Sequence, residues 1–108
     1  MPGVYLGRGP RRGIHKFSRS WWMCAAIIHG ATTAAEVAQW MNFIGAPQSA
    51  FGREAPRTSA AVHTHLTNAM LAGFLLKHPG RPITWSLNPE WSESKCAVAI
   101  SNHFADNP

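Results

Sequence analysis

An apolar stripe at helical spacing runs through residues 59–75 and predicts an amphipathic helix. Its apolar positions are Val62, Leu66, Ala69 and Met70. The opposite face is polar but uncharged, with His63, Thr64, Thr67 and Asn68. Thr58 or Ser59 can serve as the N-cap, and Gly73 stands near the end, where a positive φ is often required. A helix face made of short hydrogen-bonding groups rather than Lys and Glu indicates a contact surface.

Three further helices follow from similar patterns. The first spans Ser20 to Gly30, with Ser20 as its N-cap. Neighbouring helical side chains diverge by about 100°, so one of the adjacent Trp21 and Trp22 is expected to face inward and the other to meet the N-terminal arm, the C-terminal segment or a partner chain. The second spans Ala34 to Met41 behind a capping box. The last carries an apolar residue at every fourth position: Cys96, Ile100 and Phe104.

A hairpin is predicted between the third and fourth helices. Pro79-Gly80 is a turn signal, and the residues after it alternate between apolar and polar as in a half-buried strand: Ile83, Trp85 and Leu87. The chain has 108 residues, enough for one domain with a modest core.

Together these elements resemble the winged helix-turn-helix transcription regulators, over roughly residues 21–91. The resemblance lies in V-x-x-x-L-x-x-A-x-x-A-G-F-L from Val62 to Leu75, G-R-P-I-T-W-S-L from Gly80 to Leu87 and T-A-A-E-V-A-Q-W from Thr33 to Trp40. It implies a mainly α fold with a small β-hairpin wing, three core helices and a C-terminal helix. It also implies a recognition helix at 59–75 in the major groove and a wing at 77–88 on the DNA backbone or minor groove.

One segment departs from that family. The turn between the second and third helices has three or four residues in a typical helix-turn-helix, but here residues 42–57 intervene. Residues 47–51 can add a helical turn, with Phe43, Ile44 and Phe51 in the core. Alternatively the segment presents Arg53 and Arg57 beside the recognition helix, or it is an insertion without a role.

The net charge is +5 with a pI near 10, which favours a polyanionic partner. Half of the ten Lys and Arg residues lie in residues 1–19, among glycines and prolines: Arg8, Arg11, Arg12, Lys16 and Arg19. We therefore expect three parts: a flexible basic arm (1–19), the winged helix-turn-helix domain (20–91) and a C-terminal helix and tail (92–108). The arm either contacts phosphates or the minor groove, or only keeps the protein soluble.

Other function classes have little support in the sequence. Five acidic residues and no phosphate-binding or nucleophile motif argue against an enzyme, so no catalytic residue and no cofactor is expected. His63 and His65 diverge on a helix and the cysteines are far apart, so no metal site is expected. Two buried thiols are favoured over a Cys24–Cys96 disulfide. No apolar run is long enough to cross a membrane.

We therefore expect sequence-specific binding of double-stranded DNA by a small transcriptional regulator, cytoplasmic and of the bacterial or phage nucleoid-associated type. The candidate DNA-binding residues are Arg8, Arg11, Arg12, Lys16, Arg19, Arg53, Arg57, Thr58, Ser59, Ala60, His63, Thr64, Thr67, Asn68, Lys77 and Arg81. The C-terminal helix either forms a homodimer or covers the core of its own chain.

Two other functions stay open. One is a winged-helix protein-interaction module, an adaptor or inhibitor, that docks through exposed aromatics: Trp21 or Trp22, Trp91 and Phe104. A weaker one is RNA binding, which more often uses aromatics on a sheet face.

Overall fold

A computed structural model describes residues 14–45, 55–92 and 95–106, with the backbone alone at 92, 95, 96 and 106. These residues form five helices and one antiparallel hairpin. In chain order the elements are α1 (Arg19–Ile28), α2 (Ala34–Ile44), α3 (Ser59–Leu71), β1 (Leu75–His78), β2 (Thr84–Leu87), α4 (Pro89–Ser92) and α5 (Lys95–Asp106). The mainly α fold with a hairpin, three core helices and a C-terminal helix is as predicted, and it is winged-helix-like. No helix in the described ranges is both long and apolar enough to cross a bilayer.

Helix α1 is the centre of the core. Six consecutive residues, Trp21 to Ala26, are buried, so the helix is enclosed on every side over that length. Helices α2, α3 and α5 and strand β2 all pack against it. The N-cap lies two residues earlier than predicted, because the Oγ of Ser18, not Ser20, accepts the hydrogen bond from the Trp21 amide at 3.1 Å.

The predicted arm of residues 1–19 extends too far. Ile14 and Phe17 pack against the core, and the Phe17 ring lies 5.0 Å from that of Trp21 and 5.6 Å from that of Trp22. Burying an aromatic ring offsets the entropy of ordering the short segment before α1. Residues 1–13 of the predicted arm lie outside the described residues.

The capping box of α2 is confirmed. The Thr33 Oγ accepts from the Glu36 amide at 3.1 Å, and the Glu36 carboxylate accepts from the Thr33 amide at 3.2 Å. The hydroxyl of Thr32 also donates to that carboxylate at 2.6 Å, and this bond is the main reason why the pKa of Glu36 is lowered. The helix continues past Met41 to Ile44 and ends at Gly45, whose φ is 67°.

The segment between α2 and α3 is described only at its ends. Phe43 is 87% exposed, so the expectation that it enters the core is wrong, whereas Ile44 packs against the core as expected. The side-chain amide of Asn42 donates to the Arg57 carbonyl oxygen at 3.0 Å and ties the two ends together. The predicted turn at 47–51, the predicted burial of Phe51 and the predicted role of Arg53 lie outside the described residues.

Helix α3 is shorter than the predicted 59–75. Its apolar stripe is buried as expected, but the helix ends at Leu71. Gly73 has a φ of 93°, and the Phe74 amide donates to the Ala69 carbonyl oxygen at 3.0 Å, which closes the helix and turns the chain. Leu75 then starts β1, which pairs antiparallel with β2 so that Leu75 lies opposite Leu87. The tryptophan in β2 also contacts the start of α2, because its amide donates to the Thr32 carbonyl oxygen at 2.7 Å.

Asn88 fastens the base of the hairpin. It is 4% exposed, and its side-chain amide donates to the Gly73 carbonyl oxygen at 2.8 Å. Its backbone amide donates to the Phe74 carbonyl oxygen at 3.0 Å, and its side-chain oxygen accepts from the Glu90 amide at 3.2 Å. One side chain therefore joins the end of α3, the exit of the hairpin and the start of α4.

The C-terminal helix is confirmed and packs on its own chain. Ala97 and Ile100 are buried, and the half-buried ring of Phe104 lies 5.6 Å from the ring of Trp21. Both members of the tryptophan pair are buried, at 3% and 7% exposure. The expectation that one tryptophan faces inward and the other meets the N-terminal arm or the C-terminal segment is confirmed, because the Trp21 ring contacts the Phe17 and Phe104 rings.

Replacing Asn88 with Ala should lower the free energy of unfolding by about 2 kcal/mol, because it removes two side-chain hydrogen bonds and leaves the buried carbonyl of Gly73 without its donor. Urea denaturation at pH 7.5 measures this loss. The exposed Asn102 in α5 provides the matched control, Asn102→Ala, which should change stability by less than about 0.5 kcal/mol. Equal effects of the two substitutions would contradict this role of Asn88.

Candidate nucleic-acid interface

The outer face of α3 is a row of small, uncharged side chains. The exposed positions of the helix are Ser59, Ala60, Thr64, Asn68 and Leu71. From Ala60 onward they recur at intervals of three or four residues, so they lie in one line along the helix. The row faces away from the buried stripe that holds α3 against the core.

Several hydroxyl groups near this row are already oriented by the helix itself. Thr64 donates to the Ala60 carbonyl oxygen at 3.3 Å, and Thr67 donates to the His63 carbonyl oxygen at 3.0 Å. The hydroxyl protons are thus directed inward, and the oxygen lone pairs and methyl groups are left for a ligand. Thr58 is the N-cap, and its Oγ accepts from the Ala61 amide at 3.2 Å, so we assign it a structural role.

The two histidines of α3 flank the exposed row and are half-buried. The His63 ring meets the Trp85 ring edge-on, with 5.7 Å between centroids. His65 lies on the other flank, where burial and the positive charge of Arg19 lower its pKa. His65 therefore lies partly against the core.

The hairpin presents cations beside this helix. The Lys77 ammonium lies 5.7 Å from the centroid of the Trp85 ring, and Arg81 is exposed at the tip. The His78 Nε2 and the Ser86 Oγ share a hydrogen bond of 2.6 Å across the two strands. The Trp85 ring that Lys77 contacts also meets the ring of His63, so Lys77 lies near that flank of the exposed row.

The remaining predicted contacts divide into two groups. Lys16 is exposed and lies 5.0 Å over the Phe17 ring, Arg19 is half-buried close enough to His65 to lower its pKa, and Arg57 is half-buried just before α3. The others lie outside the described residues: Arg8, Arg11, Arg12 and Arg53.

The electrostatics of this face are one-sided. Between Ala55 and Pro89, which includes all of α3 and the hairpin, the sequence contains no Asp or Glu. The cations flank the row rather than lie in it. Such an arrangement attracts a polyanion to the edges of the face and leaves its centre for uncharged contacts.

The aromatic docking patch considered from the sequence is not formed. Trp21, Trp22 and Trp91 are buried, at no more than 7% exposure, because they fill the core around α1 and α4. Phe43 is instead the most exposed of the large apolar side chains in the described ranges. It borders an open cleft of about 320 Å³ between α1 and α2 that His29 and Trp40 also line.

The other chemistries have no assembled site among the described residues. They contain no cluster of three or more His, Cys, Asp or Glu side chains that could hold a metal ion. Cys24 is a free, buried thiol rather than a disulfide partner, and burial strongly raises its pKa, which makes it a poor nucleophile.

Sequence reasoning missed Leu71 and Phe43. Leu71 has no assigned face in the sequence prediction, although it follows Asn68 at the interval of the exposed row, and this spacing is the available signal. Phe43 was placed in the core by one of the alternatives for residues 42–57, whereas it lies exposed in the last turn of α2.

No protein-family model matches the sequence, and comparisons with curated proteins and with solved structures likewise find no match. The function is therefore argued from this face alone.

The lowered pKa of His65 predicts a pH dependence of stability. At His65 the unfolded chain binds a proton near pH 6.5, whereas the folded chain binds it only at lower pH. The contribution of His65 to the free energy of unfolding is therefore complete above pH 6.5 and declines as the pH falls toward the folded pKa. Stability should therefore fall between pH 7.5 and 5.5, and it should fall less in His65→Gln. Urea denaturation across this range measures the difference. The exposed His15, replaced with Gln, is the control, and a His65→Gln curve parallel to that of the original protein would refute the prediction.

Proposed function

We propose that the protein binds double-stranded DNA sequence-selectively, as a small transcriptional regulator, with α3 in the major groove. The observation that carries this proposal is the exposed, uncharged row along α3, flanked by the cations of the hairpin. Major grooves are wide enough to admit an α-helix, and uncharged polar and methyl groups read base edges there. Lys77 and Arg81 would contact the backbone or the minor groove.

Affinity in this mechanism comes mainly from the periphery. The overall charge is +5; five of the ten Lys and Arg residues lie in residues 1–19 and two in the hairpin, and none lies in the exposed row of α3. Arg8, Arg11 and Arg12 would neutralise phosphates, as would Lys16 beside the first turn of α1. A protein with this role would act where bacterial or phage DNA is found, in the cytoplasm.

The predicted homodimer is part of the proposal. Ala97 and Ile100 of α5 are used within the chain, so a second copy would meet the outer side of that helix, where Val98 is 50% exposed. A dimer of this kind would bind half-sites about 10 base pairs apart. Sedimentation velocity of the free protein and of its DNA complex distinguishes one copy from two.

One observation favours a second function, a protein-interaction module. Phe43 is 87% exposed beside the cleft that His29 and Trp40 line, so the ring and the cleft together would form the docking surface. In that case the basic charge serves solubility. Binding of the partner would hardly depend on salt, and Phe43→Ser would abolish it.

The first experiment measures binding of the full chain to a random-sequence duplex pool at 50 and 200 mM salt. DNA binding should weaken steeply with salt, with a slope of about −0.9 for each phosphate contact. Replacing Arg8, Arg11 and Arg12 together with Gln should make the slope shallower by about 0.9 per arginine that contacts a phosphate. The same three positions changed to Lys keep the charge and should retain most of the slope.

Two outcomes decide between the functions. A steep slope that Phe43→Ser leaves unchanged supports DNA binding. No binding to any duplex at 50 mM salt would overturn it and leave the interaction module as the better explanation.

A further inference from the structure

Resting on the proposed function, we infer that α3 selects A·T base pairs, with Asn68 on adenine and the methyl groups of Ala60 and Thr64 on thymine. These three residues are exposed and four positions apart, so they form one slightly inclined ridge along the helix. At 1.5 Å per residue the ridge is about 12 Å long, which corresponds to about three or four stacked base pairs. The row is therefore long enough to read a short run of adjacent pairs.

The chemistry of the row matches A·T pairs and lacks the groups that read G·C pairs. Asn is one of the two side chains that form a bidentate pair with the adenine N6 and N7, and apolar groups contact the thymine methyl. Guanine is most often read by Arg or Lys and cytosine by Asp or Glu, and none of these occurs between Ser59 and Leu76. Leu71, 57% exposed, extends the apolar part of the row.

The contacts around the row keep competing groups at its edges. The Thr64 hydroxyl donates to the Ala60 carbonyl oxygen, so it turns its proton away from a base and leaves its methyl group and lone pairs available. Two cations near the flanks have other neighbours: Lys77 lies against the Trp85 ring, and Arg19 is half-buried near His65. His63 is held edge-on against the Trp85 ring at the flank.

The first test compares duplexes selected from the random pool with chemically edited copies. Selected sites should be rich in A·T pairs within a core of three or four positions. Replacing thymine with uracil in that core removes only the C5-methyl group, and it should weaken binding about fourfold for each methyl group that α3 contacts. Replacing adenine with 7-deazaadenine removes the N7 acceptor that the Asn68 amide would bond.

The second test uses variants of the full chain. Asn68→Ala should reduce the preference for adenine over the other bases at one position by between about 5-fold and about 100-fold. Asn102→Ala on α5 should leave this preference unchanged. Asn68→Arg should move the preference at that position to guanine. Both residues are exposed, and circular dichroism verifies that each variant is folded.

The outcomes separate this inference from the proposed function. Salt-dependent binding with a G·C-rich core, or with a core unaffected by Asn68→Ala, overturns the A·T reading and leaves DNA binding in place. Loss of duplex binding under every condition overturns both. An A·T core that weakens with uracil and shifts with Asn68→Arg supports the inference.

Discussion

The structure depends on the complete enclosure of α1. Six successive residues of this helix are buried. The helix is covered by five neighbours, which are α2, α3, α5, β2 and the segment before α1. Burial of this kind is worth roughly 25 cal/mol per Å² of apolar surface, and the two tryptophans supply the largest share of that surface. No neighbour can be repositioned without exposing part of α1. The buried stripe of α3, which holds the helix against the core, therefore fixes the position of α3.

This constraint explains how an exposed row can be held still without salt bridges. Helix α3 contains no Asp, Glu, Lys or Arg, so no ion pair between such residues within the helix stabilises it. Its N-cap, its buried stripe and the closure at Gly73 fix both ends and the inner side. The hairpin then follows in a defined direction, because Asn88 joins its base to the end of α3. Buried contacts therefore position α3, and its exposed row remains available for contacts with a partner.

Local signals in the sequence predicted the elements well. The capping box of α2, the stripe of α3 and the four-residue repeat of α5 each depend on neighbours within one turn, so they can be recognised from spacing alone. The errors were of a different kind. Phe17, Trp22 and Trp91 could not be assigned from pattern, because their burial is decided by which distant helix covers them. Leu75 was assigned to the helix because an apolar residue fits both a helix end and a strand start, and only the positive φ of Gly73 separates the two.

The same difference between local signals and long-range contacts applies to the candidate face. The uncharged polar side of α3 was visible from periodicity, yet its exposed row is narrower than the predicted set: His63 and Thr67 are half-buried, and Leu71 joins the row. The His63 ring contacts the Trp85 ring, which lies 22 residues away along the chain, and spacing within one helix cannot reveal such a contact. Under the proposed function, the cations and the exposed row of α3 have separate roles. Charge-driven attraction arises at the hairpin and the N-terminal cations, whereas discrimination arises in a row with no charge, so salt would weaken binding without changing which bases are preferred.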